Sequence, residues 1–285
     1  MGKLAKDIIA GGRQNVFYPE RPPISRVVAI SYSVFDNFWV PEGEELENYK
    51  DYKYLGLKKY NKKAERYEVK TQEDYWWDVE TSLGQILSKS HVDQELVDVV
   101  LDFVTISNLD EIGDIENLEE LEVVFNKMSS GQKISFSIIC QMAAFLEDDS
   151  IVLFDEPENH LHPGLLWSMM VTFDKVLKKK RSYAVIATHS PLILQQIPSD
   201  FVNMVSREGG AFFSRKLDVE CFGDNLQSIM EKVFGFIEPE HDYRDVFKFL
   251  IREKGYEKEK IESLFSKELS LQARVFLTNS YKNLK

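Results

Sequence analysis

The hydrophobic residues of this chain follow two patterns that alternate along its length. Runs of consecutive apolar residues predict buried strands at Arg26–Ser33, Ile151–Glu156 and Ser182–Thr188. Apolar residues at helical spacing predict helices at Lys133–Leu146 and Leu165–Lys179. Strands that alternate with helices are typical of an α/β fold, in which a mainly parallel sheet carries helices on both faces.

The remaining segments extend this architecture. The polar, tyrosine-rich stretch Glu42–Lys63 is predicted to be an exposed loop with a short strand around Tyr52–Leu57, whereas Asp74–Phe103 follows a helical pattern. Two apolar stretches joined by Glu208–Gly210 predict a β-hairpin. An all-helical extension is predicted from Asp224 onward, with helices at Asp224–Phe234, Arg244–Lys254, Lys258–Ser266 and Ser270–Leu284.

Composition narrows the class of protein. The 285 residues are 44% hydrophobic and 12% aromatic, which excludes a disordered chain. No run approaches the ~18 apolar residues of a membrane-spanning helix, and the N-terminal segment lacks the apolar centre of a secretory signal. Cys140 and Cys221 are too few for a disulfide framework, so a reduced, cytoplasmic setting is expected.

The charge of the chain bears on nucleic-acid binding. A net charge of −12 argues against a protein that coats nucleic acid nonspecifically. The densest basic run, Lys178–Arg181, leaves a local phosphate contact open. Its simpler interpretation is the end of a helix, where cations meet the negative end of the helix dipole.

Two stretches carry candidate chemistry. Ser129–Gln132 is a small-residue turn that opens a helix, and its free backbone N–H groups can hold an anion. Taken alone, the same turn would be an N-cap with Ser130 as the capping residue. The apolar strand Ile151–Phe154 delivers Asp155 and Glu156 at its carboxyl end, which is where ligands bind in open α/β sheets.

These residues resemble the motifs of ABC-type ATPases. The resemblance is to the branch that includes structural-maintenance-of-chromosomes and RecF-like heads and the overcoming-lysogenization-defect (OLD) ATPases. Met128–Gln132 is similar to the signature motif Leu-Ser-Gly-Gly-Gln, and Ile151–Glu156 to the Walker B strand with its catalytic Glu. Thr188–Pro191 is similar to the switch-histidine motif. Asp155–Pro163 looks like the variant of the OLD-like branch rather than that of transporters.

The resemblance implies a P-loop NTPase-like core and an ATPase activity with ATP and Mg²⁺ as cofactors. The core would span residues 1–217, with a helical lobe at residues 74–122, and a helical C-terminal extension would span residues 218–285. Asp155 would hold Mg²⁺, Glu156 would act as general base and His189 would sense the γ-phosphate. The signature residues would contact the ATP of a second subunit in a homodimer of ATP-sandwiched heads; they are Ser129, Ser130, Gly131 and Gln132.

The chain departs from the family pattern at two places. No Gly-x-x-x-x-Gly-Lys-Ser/Thr occurs in it, and the only remnant of that phosphate loop is Gly2-Lys3-Leu4, ahead of a short predicted helix that ends at Gly11-Gly12. We expect a truncated form of a longer ATPase, or else a naturally shortened relative, that hydrolyses ATP slowly by itself. The family's Gln after the first strand is also missing. Ser33 or Asp36 could replace it, although Asp36 more simply caps a turn.

The expected function is a switch in which ATP joins two heads and hydrolysis at Glu156 separates them. By family analogy it would act in DNA repair or phage defence, with a nuclease or toxin effector chain, DNA as a further candidate partner, and no membrane. His160 and His162 are expected to lie in a dimer-facing loop rather than to bind a metal. The alternative is a non-catalytic scaffold or dimerisation subunit, and a transporter ATPase is a weaker third interpretation.

Overall fold

The computed structural model describes residues 5, 8, 23–41, 48–88, 93–107, 117–236 and 242–282. The chain divides into two compact units, Met1–Leu226 and Gln227–Lys285. The phosphate-loop remnant Gly2-Lys3-Leu4 and the end of the helix predicted at Gly11-Gly12 lie outside the described residues. The boundary predicted between the core at residues 1–217 and the helical extension at residues 218–285 stays a prediction.

The first unit combines strands with helices, which confirms the predicted α/β class. Its strands are β1 (Val27–Ser31), β2 (Tyr52–Gly56), β3 (Lys58–Asn61), β4 (Arg66–Val69), β5 (Ile151–Asp155), β6 (Tyr183–Ala187), β7 (Asn203–Glu208) and β8 (Ala211–Lys216). Its helices are α1 (Gln72–Leu87), α2 (Gln94–Ile106), α3 (Leu118–Lys127), α4 (Ser130–Phe145), α5 (Pro163–Lys179) and α6 (Pro191–Leu194), followed by a 3-10 turn at Ser199–Phe201.

The central sheet has four parallel strands in the order β2-β1-β5-β6. Because β1 and β5 are covered on both faces, their sequences are continuous apolar runs, which is why the sequence pattern identified them. One face packs through Val28 and Phe154 against α1, α2, α4 and α5. The other face packs through Ala29 and Leu153 in a smaller cluster that includes Ala5 and Ile8.

Strand β6 lies at one edge of this sheet and is covered less well. In the described part of the chain it pairs only with β5. Tyr183 and Val185, which register with Ile151 and Leu153, keep 68% and 41% of their surface exposed. The hairpin β7–β8 is exposed along all of β8, including Phe212.

The short strand predicted around Tyr52–Leu57 is confirmed, whereas the exposed loop expected for the rest of Glu42–Lys63 also contains a strand at Lys58–Asn61. Residues Tyr52–Gly56 form β2, a mostly buried strand that pairs with β1 in parallel. Lys58–Asn61 then pairs with Arg66–Val69 in an antiparallel hairpin. Strand β2 is buried although it is rich in tyrosine, because Tyr52 and Tyr54 bury their rings while their hydroxyl groups reach polar partners.

The start of α4 corrects a second prediction. Ser129, not Ser130, is the N-cap, and its hydroxyl accepts a hydrogen bond from the Gln132 N–H. The Gln132 side chain accepts from the Ser129 N–H in return, at 2.8 Å. This reciprocal capping box requires Gln or Glu at the third position after the cap, and only Ser129 has one.

The second unit is helical, with α7 (Leu226–Phe234) beginning at the unit boundary and α8 (Tyr243–Arg252), α9 (Lys258–Glu262) and α10 (Leu271–Lys282) following. It has a small core of its own, formed by Phe247, Ile251, Ile261, Ala273 and Leu277. Across the described residues of both units, no helix has the length and apolar character needed to cross a bilayer.

Candidate active site

The four strands of the central sheet end level with one another. Ser31 registers with both Gly56 and Asp155, and Asp155 registers with Ala187. Gly56 is needed at this level because an added Cβ would lie 2.8 Å from the Ser31 carbonyl oxygen. The loops after β1, β5 and β6 therefore emerge side by side at the carboxyl edge of the sheet, where α/β proteins bind ligands.

Glu156 follows β5 in an unusual backbone conformation. Its φ of +48° is left-handed, which costs a residue other than glycine about 1–2 kcal/mol. The Glu156 N–H donates to the Ala187 carbonyl at 2.8 Å, and the Asn159 N–H donates back to the Glu156 carbonyl at 3.1 Å. A β-turn with Pro157 at its second position results, so the alternation of side chains along the strand stops at Asp155.

The Glu156 carboxylate meets two polar side chains. One oxygen lies 4.0 Å from Nε2 of His189, and the other accepts a hydrogen bond from the Asn159 side-chain amide at 2.7 Å. The His189 side chain is 81% exposed and that of Glu156 is 42% exposed. The structure therefore brings together two of the predicted catalytic residues, at a place that solvent reaches.

Glu158 connects the turn after β5 to the turn after β6. Both of its carboxylate oxygens lie 2.9 Å from the Thr188 hydroxyl, which donates to them. One of those oxygens also accepts the His189 backbone N–H at 2.6 Å. The Ser190 N–H donates to the same hydroxyl at 2.9 Å. The predicted switch segment is therefore held both by Glu158 and by a hydrogen bond within the segment itself.

Asp155 ends β5 and is half-buried. Burial raises the pKa of this carboxyl above its ordinary value, and the neighbouring carboxylates of Glu156, Asp36 and Glu158 add to the rise. This cluster of acidic groups favours a cation. In the described residues no group of three or more His, Cys, Asp or Glu is arranged to hold a metal ion. Mg²⁺ usually takes one or two carboxylates together with substrate phosphates, so Asp155 fits an ion that arrives with a nucleotide.

Asp36 belongs to the fold. Its carboxylate accepts hydrogen bonds from the Phe38 N–H, the Lys58 ammonium and the Tyr54 hydroxyl, each at 2.9 Å. The side chain is completely buried, and burial next to Asp36 raises the pKa of Tyr54 far above its usual range. Ser33 also caps a turn after β1. The structure thus shows the simpler of the two alternatives for Asp36, a capped turn.

The signature turn lies beside the turn after β5. Ser130 is exposed at the first position of α4, while Gly131 is packed closely. A Cβ added to Gly131 would lie 3.2 Å from Leu165 and 3.4 Å from the His160 carbonyl oxygen. The hydrogen bonds of the turn described above hold its shape, and the exposed serine faces solvent. A second molecule can therefore reach Ser129–Gln132.

The remaining candidates have structural explanations. His162 is the N-cap of α5, and its Nδ1 accepts the Leu165 N–H at 3.2 Å. His160 is exposed and has a positive φ of 63° in the same turn. The basic run Lys178–Arg181 ends α5, and its members form ion pairs with Asp174, Asp93, Glu95 and Asp148.

Sequence reasoning did not assign roles to Glu158 and Asn159. Both lie inside the quoted motif, yet their contacts become visible only when the turns after β5 and β6 are placed side by side. The available signal was the position of two polar side chains directly after Pro157, on a turn that follows two carboxylates. Such residues on a loop held by rigid strands are frequent in functional sites.

Similar proteins were found by sequence and by structure. A segment of 108 residues is 40% identical to protein ea59 of Escherichia phage lambda, covering 38% of this chain and 21% of that relative. The chain thus spans about a fifth of the length of the curated relative it matches. A solved structure, the ADP conformation of MJ1267, an ATP-binding cassette of an ABC transporter, aligns at 12% identity. That alignment covers 74% of this chain and 85% of the other with a TM-score of 0.29, too low to carry an argument.

The family comparison covers the part of the chain that contains the strand tips. Residues 22–195 match the family model described as "AAA domain, putative AbiEii toxin, Type IV TA system". This segment includes β1 to β6, the signature turn and both turns of the candidate site. Since the match extends over more than half of the 285 residues, the protein belongs to this family of AAA domains, a class of ATP-binding ATPases.

Proposed function

We propose that this chain is the ATPase head of a nucleotide-controlled switch, in which two copies close around ATP and separate after hydrolysis. The observation that carries the proposal is the convergence of Asp155, Glu156 and His189 at the tips of β5 and β6, with Glu156 and His189 4.0 Å apart. Phosphoryl transfer needs a held Mg²⁺ ion, an activated water and groups that face the γ-phosphate. This edge of the sheet offers one residue for each task.

Each residue has a role that its surroundings support. Asp155 would hold Mg²⁺: burial and, to a smaller extent, the neighbouring carboxylates raise its pKa, and a bound cation would offset both effects. Glu156 would accept a proton from the attacking water, with its carboxylate oriented by Asn159. His189 would contact the γ-phosphate from the next strand tip. The phosphates belong to the nucleotide. The residues of this chain would orient the attacking water and accept its proton.

The signature turn would act on the nucleotide of the other copy. Ser129–Gln132 is at the N-terminal end of the sixteen-residue helix α4, where backbone N–H groups and the helix dipole favour an anion. Ser130 is exposed, so it is accessible to a second molecule. In the proposed dimer this turn completes the phosphate site of the partner subunit.

The chain by itself should be a poor ATPase. Its sequence contains no Gly-x-x-x-x-Gly-Lys-Ser/Thr, and that loop supplies the amide cradle and the lysine that pairs with the phosphates. We expect slow turnover by the isolated chain. Turnover at a rate typical of ABC-type ATPases, abolished by Glu156→Gln, would contradict this expectation.

The biological setting is proposed from the comparisons. The family description names a putative toxin of a type IV toxin–antitoxin system, and one relative is a protein of a bacteriophage. Together with the OLD-like form of Asp155–Pro163, these support a cytoplasmic role in phage defence or DNA repair. The effector would be a nuclease or toxin chain, with DNA as a further partner.

The test is binding of a fluorescent ATP analogue with Mg²⁺, combined with the molecular mass measured by light scattering. In the Glu156→Gln variant, which cannot activate water, we expect the nucleotide-bound dimer to accumulate. Ser130→Arg should prevent the dimer, because it fills the face offered to the partner's nucleotide. Glu122→Gln, an exposed change on α3, is the matched control and should behave as the wild type.

One other function has an observation in its favour. The missing phosphate loop favours a non-catalytic scaffold or dimerisation subunit that keeps the fold alone. For a scaffold, neither the wild type nor Glu156→Gln would bind the analogue at concentrations that saturate ordinary ATPases, and their masses would not respond to ATP. That result would overturn the switch proposal.

A further inference from the structure

We infer that Glu158 is a positioning residue, which fixes the His189 main chain so that the imidazole stands opposite Glu156. The inference deepens the proposed function and rests on it for the catalytic meaning of His189. The contacts themselves do not depend on any nucleotide. They are the two oxygens of one carboxylate, a threonine hydroxyl and a backbone N–H on the neighbouring loop.

Glu158 links two turns that follow neighbouring strands. Glu158 lies on the turn after β5, and Thr188 and His189 lie on the turn after β6, thirty and thirty-one residues further along the chain. The backbone ladder between the two strands ends where the Glu156 N–H meets the Ala187 carbonyl. Beyond that point, Glu158 supplies the hydrogen bonds that keep the two turns together.

The His189 side chain is 81% exposed, so few neighbouring atoms pack against its ring. The position of the His189 Cα sets which side-chain rotamers can bring the imidazole opposite Glu156. A short hydrogen bond from the His189 N–H to a charged carboxylate is the type of contact that fixes a Cα, since hydrogen bonds to charged groups are stronger than those between neutral groups.

Hydrogen bonds to the switch segment satisfy the carboxylate of Glu158. In the described parts of the chain, no lysine or arginine forms an ion pair with Glu158. Its described partners are the hydroxyl and the N–H of the switch segment. Neighbouring Asn159 holds Glu156 in the corresponding way. Glu158 and Asn159, which are consecutive in one turn, thus position His189 and Glu156, whose side chains lie 4.0 Å apart.

The experiment is a mutant cycle read by NMR on the full chain without nucleotide. At one fixed pH, Glu156→Gln removes a charge next to the imidazole and should shift the His189 ring ¹³C and ¹⁵N resonances. In a Glu158→Gln background the same Glu156→Gln change should shift them much less, because the ring no longer stands opposite residue 156. The His189 amide proton should also move upfield in Glu158→Gln.

Control variants separate positioning from general destabilisation. Thr188→Ser keeps the hydroxyl and should retain the response of His189 to Glu156→Gln, whereas Thr188→Val should weaken it. Glu122→Gln, a distant exposed change on α3, should leave it intact. An unfolded variant would lose the dispersed amide spectrum as a whole, which the same data reveal.

The outcomes decide the inference in both directions. A response to Glu156→Gln that is equally large with and without Glu158 would overturn it, and so would an unchanged His189 amide in Glu158→Gln. Loss of both effects supports it. Failure of the chain to bind ATP would refute the proposed function while this cycle stayed readable, so the two failures are distinguishable.

Discussion

The tips of β1 and β5 end at the same level of the sheet and carry carboxylates of opposite character. Beyond β1, Asp36 is completely buried and has three hydrogen-bond donors around it, one of them the Lys58 ammonium. At the end of β5, Asp155 and Glu156 are partly exposed, and the pKa of Asp155 is raised by burial and by neighbouring carboxylates. Neighbouring positions of one sheet edge therefore serve different purposes. Asp36 stabilises the fold, whereas Asp155 and Glu156 provide carboxylates for the candidate site and lower the stability of the fold.

The largest effect on stability should come from breaking the ion pair between Lys58 and Asp36 that follows β1. Lys58→Met leaves the buried Asp36 carboxylate without its cation and should lower the free energy of unfolding by about 3–5 kcal/mol. Urea unfolding followed by tryptophan fluorescence measures it, since Trp39, Trp76, Trp77 and Trp167 all lie in the first unit.

Two variants test the interpretation of that loss. Lys175→Met removes an exposed ion pair with Asp102 and should cost less than about 1 kcal/mol. The double variant Asp36→Asn/Lys58→Met removes the uncompensated charge and should recover part of the stability. A double variant no more stable than Lys58→Met would show that the charge pair is not what holds this turn.

A smaller loss is expected from the buried tyrosine that follows β1. Tyr32 is completely buried, and its hydroxyl lies 2.8 Å from the Ser135 hydroxyl on α4. Tyr32→Phe leaves that serine without this partner and should cost about 1–3 kcal/mol in the same unfolding measurement. Tyr183→Phe, at an exposed position, is the matched control and should be nearly neutral.

At the end of β5, a substitution is expected to raise the free energy of unfolding rather than lower it. Glu156→Gly relieves a left-handed backbone and should raise the free energy of unfolding by about 1 kcal/mol relative to Glu156→Ala, which removes the same carboxylate but keeps the strain. Chemical denaturation of both variants isolates the backbone contribution. If alanine and glycine are equally stable, the strain at this residue is not a cost to the fold.

The smallest effect is a dependence on pH. Because its pKa is raised, the folded chain keeps the Asp155 proton to higher pH than the unfolded chain does. Stability therefore falls as the pH rises from the ordinary value of 3.8 through the raised pKa. Asp155→Asn should lack this fall, so its advantage over the wild type should grow across that window and then level off.

Unfolding midpoints measured over a pH series test this trend. Asp51→Asn, at an exposed position, should run parallel to the wild type and serves as the control. An advantage of Asp155→Asn that shrank with rising pH would have the wrong sign and would place Asp155 among the stabilising carboxylates.

The sequence predicted the parts of the fold that local patterns determine. The strands β1 and β5 and the helix α4 were visible because burial on both faces, or on one helical face, leaves an apolar signature. Strand β2 was predicted as a short strand within an exposed loop, but its burial was not predicted, because that burial follows from pairing with β1 more than twenty residues away. The cap of α4 was misplaced by one serine because the deciding partner, Gln132, was not weighed.

The candidate site was predictable only as far as the motifs extend. Asp155, Glu156 and His189 were named from the ends of apolar strands and from the family resemblance, and the structure places them at adjoining tips. Nothing local to Glu158 indicates that its carboxylate meets Thr188, because this contact joins two loops that only the sheet brings together. Side-chain contacts between loops are determined by the tertiary fold, so they leave no periodic pattern in the sequence.

The open side of β6 has a practical consequence for anyone handling this chain. Within the described parts of the chain, the outer edge of β6 has no strand partner and is bordered by Tyr183 and Val185, and such an edge is a template on which other strands can aggregate. The net charge of −12 keeps molecules apart in dilute buffer. Added salt screens that repulsion within roughly 10 Å at 0.1 M. Ionic strength should therefore limit the concentration at which this protein stays in solution.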